Sequence, residues 1–324
     1  MYEQFQALDD IRLNFNSQGL LLINITLAFI MFGVALEIKV EHFRQVINRP
    51  KSVLVGFGSQ FILLPAVTFL VVKSLGNVIS PAVAMGMILV ASCPGGNISN
   101  FMSSLAKANT ALSVSLTAIA TLGAIVLTPL NFAIWGGLYT SSSDLLQPIT
   151  IDPIEMFKTV FILLGIPLVL GMYFAHKFPK ITAKIVKPLK NISMLIFIGI
   201  VIMAFTNNYE YFIKYIGLIF LLVLAHNAVA LATGYLAGTI FWLPKPDRRT
   251  TTIETGIQNS GLGLVLLFNP RIFEEPVGGM AFIAAWWGIW HIISGLGLAS
   301  ILARIPYKDS RKPLEAVVEQ VVED

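Results

Sequence analysis

The sequence predicts an all-α polytopic membrane protein with nine transmembrane helices. Three observations lead there. The 324 residues are 56% hydrophobic and only 12% charged, with a mean hydropathy of +0.77, whereas a soluble domain carries about a quarter charged residues. Apolar runs of about 20 residues, the length that spans a bilayer core, recur along the whole chain. Lys and Arg alternate in density between successive connections, as the positive-inside rule requires of a polytopic protein.

Taken in order, the predicted spans are 19–40, 52–72, 81–106, 110–136, 155–175, 191–206, 214–242, 251–268 and 278–303. Seventeen of the 22 Lys and Arg residues fall in one set of connections and five in the other. The richer set includes Lys39 to Lys51, Lys107, Lys177 to Lys190, Lys245 to Arg249 and Arg304 to Lys312. This puts the N-terminus outside and the C-terminus in the cytoplasm. An eight- or ten-span reading breaks the alternation. The basic residues are spread over the connections, so the net charge of +4 does not signal nucleic acid. "MYEQFQALDD" is acidic and lacks a basic n-region and an A-x-A-like site, so no removable signal peptide is expected. The single cysteine, Cys93, excludes an intramolecular disulfide and a cysteine metal cluster. Trp242, Trp286, Trp287 and Tyr235 read equally as interface anchors and as lipid-facing packing. Residues after Pro306 form a short charged tail, expected to be mobile.

Two spans break the apolar pattern. The third contains "CPGGNISN" (93–100) and the eighth contains "TTTIETGIQNSGLGL" (250–264). Each is the third member of a four-span set, spans 1–4 and 6–9, with span 5 left between them. An odd connecting span inverts the second set relative to the first, which is the arithmetic of an inverted repeat. Pro94 removes a backbone donor, and Gly95 and Gly96 weaken a helix. For span 3 alone a simple proline kink explains as much. The paired disruption favours two broken helices, whose free carbonyls suit cations and whose free N–H groups suit anions.

Glu254 is the only acid well inside a predicted span. A charge at mid-bilayer costs about 2.5–3.5 kcal/mol on insertion scales, so the group needs a cation, a proton or a partner. No Lys or Arg lies deep in a span to pair with it. The competing reading is a protonated, hydrogen-bonded structural Glu. Its expected neighbours are neutral and oxygen-rich: Gln258, Asn259 and Ser260 on span 8, and Ser99 and Asn100 on span 3. Ser113, Thr117 and Thr121 form a row at i, i+4, i+8 on span 4. Such a set suits a hard cation like Na⁺, although a Ser/Thr row alone reads as helix-packing contact. Gln60 is an isolated amide in span 2, which alone reads as a packing hydrogen bond. His226 and His291 are intramembrane and lack metal-ligand spacing, so each reads first as a hydrogen-bonded core residue. No activated nucleophile pair or nucleophile elbow is present, so an enzyme is not expected.

"CPGGNISN" followed by "ALSVSLTAIAT", then "ETGIQNSG" and "WHIISG", resemble the bile acid:sodium symporter family, in its nine-span form. "GSQFILLP" and "LAHNAVALATGYLAG" fit as well, so the resemblance covers spans 1 to 9. It implies a core subdomain, 50–140 with 212–305, in which spans 3 and 8 are unwound and cross. It implies a panel subdomain, 18–46 with 154–210, and leaves 306–324 as a cytoplasmic tail. It implies two sodium ions and no organic cofactor. The first ion would use Ser99, Asn100, Ser113, Thr117 and Glu254. The second would use Gln60, Glu254, Gln258 and the backbone carbonyls of Thr255 and Ile257. An organic anion (bile-acid-like, pantoate-like, or another small carboxylate or sulfonate) would bind near Asn97, Asn259 and His291. Some relatives carry His-Asn where this chain has His291–Ile292, a change that removes an amide from the substrate side only.

The function expected on this reading is sodium-coupled uptake of an organic anion by alternating access. A proton-coupled or facilitative carrier of the same fold is the alternative, and an intramembrane enzyme is a remote third. The expected partners are the anion, Na⁺ and the lipid bilayer, with no nucleic acid. A monomer is compatible with the sequence. A bacterial inner membrane fits the short tails and lean external loops.

Overall fold

The computed structural model describes residues 2–9, 17–38, 49–141, 152–206, 209–269, 272–273 and 278–307. The expected mobile tail lies almost wholly outside them, as does the basic connection 39–48. Among the described residues the chain is helical, with no strand beyond the isolated antiparallel pair Gly95–Gln258. Among the described residues five helices are long and apolar enough to cross a membrane: Pro50–Val78, Thr110–Ser141, Pro153–Lys177, Ile213–Ile240 and Gly278–Arg304. Asn24–Glu37 and Pro81–Ser92 are apolar but shorter.

In chain order the elements are α1 (Tyr2–Asp9), α2 (Ser17–Glu37), α3 (Pro50–Gly58), α4 (Leu64–Leu75), α5 (Pro81–Ser92), α6 (Ile98–Leu105), α7 (Thr110–Ser141), α8 (Pro153–Val160), α9 (Ile166–Lys177), α10 (Pro179–Thr206), α11 (Tyr209–Ile240), α12 (Lys245–Gly256), α13 (Ser260–Leu267) and α14 (Gly278–Arg304). Proline opens α3, α5 and α8, where its missing N–H costs nothing and its fixed φ suits the first turn. Pro129 lies within α7 and Pro188 within α10, and two further prolines sit beside π turns. Pro65 follows the π turn Ser59–Leu63 that joins α3 to α4, and Pro167 follows the π turn Phe161–Gly165 that joins α8 to α9. A proline cannot donate to the preceding turn, and the wider π turn accommodates it without breaking the span.

α5 is the most enclosed span, with every residue from Ala82 to Ser92 buried. It packs against α14, α7 and α4. Met85, Met87, Ile88 and Leu89 there join Trp287, Phe132 and Leu266 in the main apolar cluster. α1 lies across the start of α5 and buries Phe5 and Leu8. Its Asp9 accepts from Ser80 Oγ at 2.8 Å and from the Ala82 N–H at 3.4 Å, which caps α5. A second group forms where α2 packs on α9 and α10.

Two sequence expectations change. The lysine-rich connection expected between spans 5 and 6 is helical, because α10 already begins at Pro179 and runs unbroken into the apolar stretch. Trp287 is neither an interface anchor nor lipid-facing: it is fully buried against His226, with ring centroids 4.8 Å apart. Trp242, by contrast, is 86% exposed.

α5 and α14 touch backbone to backbone at Gly86, where an added Cβ would lie 2.8 Å from Met280 Cα. Gly86→Ala is expected to destabilise the protein by about 1–3 kcal/mol through overpacking. Gly137→Ala, whose Cβ meets nothing within 4 Å, is expected to leave stability unchanged or slightly raised. Thermal unfolding of both variants in one detergent checks the contrast.

Candidate functional site

The site is built where two helical runs stop. α5 ends at Ser92 and α6 starts at Ile98; α12 ends at Gly256 and α13 starts at Ser260. The intervening strands of backbone lie against each other. Gly96 N–H donates to the Ile257 carbonyl at 2.6 Å, and Asn259 N–H donates to the Pro94 carbonyl at 2.8 Å. Each interruption thus satisfies peptide groups of the other, which apolar surroundings demand. Gly95 is required by closeness: a Cβ there would sit 3.0 Å from Gln60 Nε2 and 3.1 Å from Glu254 Oε2.

Glu254 stands on the last turn of α12 and is completely buried. Its Oε1 accepts from Ser99 Oγ at 2.6 Å, from Thr117 Oγ1 at 3.2 Å and from Ser113 Oγ in a short contact. Its Oε2 lies 3.2 Å from Thr117 Oγ1 and 3.4 Å from Gln60 Nε2. Asn100 Oδ1 joins the cluster, 2.9 Å from Ser113 Oγ and 3.1 Å from Thr117 Oγ1. The long-range convergence of α3–α4, α6, α7 and α12 therefore brings Gln60, Ser99, Asn100, Ser113, Thr117 and Glu254 into one cluster.

Hydrogens are short there. Thr117 has one hydroxyl hydrogen, yet its Oγ1 lies within 3.2 Å of Asn100 Oδ1, the Ser113 carbonyl and both carboxylate oxygens. Ser113 faces Asn100 Oδ1 and Glu254 Oε1 with one hydrogen as well. Oxygen lone pairs outnumber donors, and a hard cation is what such a shell can bind. Among the described residues no Lys, Arg or His forms an ion pair with Glu254.

A second group lies beside the first. Gln60 Oε1 and Gln258 Oε1 are both buried and have no hydrogen-bond partner. Leaving a buried acceptor unmatched costs about 1–3 kcal/mol, which a bound cation would offset. The Thr255 carbonyl accepts from Gln258 Nε2 at 2.8 Å and the Ile257 carbonyl accepts from Gly96, so each retains a second lone pair. Thr255 Oγ1 pairs with Ser59 Oγ at 2.8 Å.

The remaining expected residues are less tightly gathered. Thr121 donates to the Thr117 carbonyl at 2.7 Å and so stands outside the carboxylate's shell. Asn97 opens α6 and makes no capping bond, whereas Asn259 opens α13 and accepts from Leu262 N–H at 3.2 Å. His291 Nδ1 donates to the Trp287 carbonyl at 2.6 Å. Among the described residues no hydrogen bond joins Asn97, Asn259 and His291 to one another. His226 pairs with Thr68 Oγ1 at 2.9 Å, as a core histidine would.

Sequence reasoning passed over Asn227 and Ser294. Asn227 Nδ2 donates to the Gly256 carbonyl at 2.8 Å, and Ser294 Oγ donates to Asn227 Oδ1 at 2.5 Å. This clamp holds the carbonyl at which α12 stops. The available signal was an amide in an apolar run, beside the histidine that drew attention instead. Asp247 was also missed. It is buried at the start of α12 and accepts from Ser52 at 2.7 Å, Asn109 at 2.8 Å and Arg49 at 3.3 Å.

Comparison with known proteins gives one family profile, described as "Sodium Bile acid symporter family", which matches residues 24–215. The chain is similar to a sodium-dependent transporter, YocS, of Bacillus subtilis, with 32% identity over 278 residues, 86% of this chain and 82% of that one. It is similar to a probable chloroplastic sodium/metabolite cotransporter, BASS2, of Oryza sativa subsp. japonica, with 30% identity over 79% of this chain. The match spans only 58% of that longer protein. It is also similar to the human ileal sodium/bile acid cotransporter, with 28% identity over 83% of this chain and 78% of the relative.

Asn227→Ala is expected to lower stability by about 1–3 kcal/mol, because it strips a buried carbonyl of its donor. Asn227→Asp removes the donor while keeping the shape and is expected to cost at least as much. Denaturation midpoints of the two variants against the native chain check this.

Proposed function

The chain belongs to the sodium bile acid symporter family, and from that premise we propose that it is a secondary active transporter coupling sodium entry to uptake of an organic anion by alternating access. The observation that carries the reading is Glu254: a fully buried carboxylate, without a cationic side chain among the described residues, inside a shell with more oxygens than hydrogens. A single proton would satisfy one of those oxygens. A metal cation can be met by several at once, which favours sodium over proton coupling. The names of the relatives YocS, BASS2 and the ileal cotransporter point to the same ion.

In this proposal Ser99, Asn100, Ser113, Thr117 and Glu254 hold one sodium. Gln60, Glu254, Gln258 and the carbonyls of Thr255 and Ile257 hold a second, a role that their unmatched amide oxygens support. The N-terminal ends of α6 and α13 carry partial positive charge, which would attract an anion. Asn97, Asn259 and His291 are proposed to contact it there. Of nine proposed spans, 1–4 and 6–9 form the inverted repeat, with α5–α6 and α12–α13 as its interrupted members and span 5 between the two sets. The core, 50–140 with 212–305, would move against the panel, 18–46 with 154–210, with the N-terminus outside and the C-terminus in the cytoplasm. A bacterial inner membrane is the proposed location. Two Na⁺, Glu254 and a monoanion sum to zero, so the loaded site crosses the low-dielectric barrier uncharged.

Thermal stability in NaCl is expected to exceed that in KCl at equal ionic strength, by about 2.7 kcal/mol when sodium stands a hundredfold above its Kd. Glu254→Gln is expected to lose the difference while remaining folded. Equal stability of the native chain in the two salts would shift coupling to protons or remove it. Uptake into proteoliposomes is further expected to be electrogenic, driven by about 2.3 kcal/mol per 100 mV of inside-negative potential. Electroneutral uptake at saturating sodium would overturn two sodiums per monoanion.

A further inference from the structure

We propose that the first turns of α10 form a docking surface for anionic phospholipid headgroups. The surface is made by Lys180, Lys184 and Lys187, at i, i+4 and i+7, a spacing that places them on one helical face. All three are exposed, while Thr182, on the opposite side of the same turns, is 8% exposed and faces the protein. The face therefore points away from the bundle. α10 carries no Asp or Glu anywhere along its length, so no carboxylate on its own helix neutralises the row.

Position selects a lipid surface over solvent. α9 ends at Lys177 and α10 begins at Pro179, so this row lies at the turn between two apolar helices. Lys180 to Lys187 rises about 10 Å along the helix, comparable with the headgroup layer of about 5–8 Å on each side of a bilayer core. The apolar stretch follows directly, with Ile192 and Leu195 exposed by 47% and 65%. Flanking aromatics mark the same level: Lys177 Nζ lies 5.6 Å from the ring centres of both Tyr173 and Phe178, which are themselves exposed. A cationic face, aromatic rings and an apolar continuation in this order match the charge, interface and hydrocarbon of an anionic leaflet. The partner is a phosphodiester headgroup with net negative charge, such as phosphatidylglycerol. The proposal stands on membrane insertion and does not depend on sodium coupling.

The test is native mass spectrometry of the full chain in neutral detergent with dioctanoyl phosphatidylglycerol or dioctanoyl phosphatidylcholine. The native chain is expected to retain phosphatidylglycerol preferentially. The triple variant Lys180→Gln, Lys184→Gln, Lys187→Gln is expected to lose about fivefold of that preference per charge, on the order of a hundredfold in all. The triple Lys→Arg variant keeps the charge and is expected to keep the preference. Equal retention of the two lipids by the native chain overturns the proposal without any variant. So does a preference that survives in a folded glutamine variant, because the lipid then binds elsewhere. Displacement of the lipid by equimolar inorganic phosphate would show a site for free phosphate and overturn the lipid assignment. If the glutamine variant fails to fold, added salt decides in the native chain: selective loss of phosphatidylglycerol supports the charged face, and salt-insensitive retention refutes it.

Discussion

The carboxylate of Glu254 is the constraint around which the rest is arranged. A charge in apolar surroundings is tolerated only with a partner, and here the protein supplies oxygens rather than a base. Four segments distant in sequence must meet to do so: α6 brings Ser99 and Asn100, α7 brings Ser113 and Thr117, the π turn before α4 brings Gln60, and α12 brings the carboxylate. The cluster alone is electrostatically incomplete. An oxygen shell short of hydrogens is relieved by a cation or a proton, so in the proposed mechanism ion binding is coupled to local order at four elements.

The interruptions are a condition of that cluster. An unbroken helix from 81 to 105 would place Gly95 and Gly96 in a regular ladder and turn their peptide groups along the axis. Instead Gly96 and Asn259 donate across to the opposite interruption, and the absence of a Cβ at Gly95 lets the backbone pass within van der Waals distance of Gln60 and Glu254. α12 then stops two residues after Glu254, at a carbonyl held by Asn227. Polar groups earlier in α12 are satisfied by the same economy. Thr251 and Thr252 donate to carbonyls one turn back, and Arg249 donates to Ala106 and Ile305. This is how a helix of composition KPDRRTTTIETG remains buried throughout most of its length.

Much of this was legible in the sequence, and the reasons are local. Glu254 stood out because an acid in an apolar run has few explanations, and "CPGGNISN" because proline and paired glycine cannot continue a helix. The i, i+4 row of Ser113 and Thr117 follows from helical period, and both reach the carboxylate. Thr121 obeys the same period but bonds its own backbone, a choice that period cannot foresee. Asn227 was hidden because its role depends on where a helix 29 residues later stops. Trp287 was misread because a tryptophan in a span looks alike from sequence whether it faces lipid or core. The helical start of α10 was missed because lysines were counted as loop markers, when they are also good helix formers.

Among the described residues the hydrogen bonds that name Asp247 and Asn109 fall within the proposed core or directly beside it. Asp247 ties α12 to Ser52 and Asn109, at the starts of α3 and α7, and to Arg49, which directly precedes α3. Asn109 in turn accepts from Leu112 N–H and Thr250 Oγ1, which ties the start of α7 to α12 again. Across the boundary to the proposed panel the described residues also make apolar contacts. Gly165 of the panel meets Ile125, and Met156, Leu163 and Leu164 pack into the main apolar cluster, with Asn269 to Thr159 at 3.1 Å as a polar contact. Directional bonds resist displacement, whereas apolar contact is non-directional and can re-form after a shift. A body knitted internally by hydrogen bonds and bounded by apolar side chains is the arrangement that rigid movement of the core against the panel requires. In the proposed mechanism the lysine face of α10 belongs to the panel, so headgroup contact would hold the stationary part at the membrane surface while the ion-binding core moves beside it.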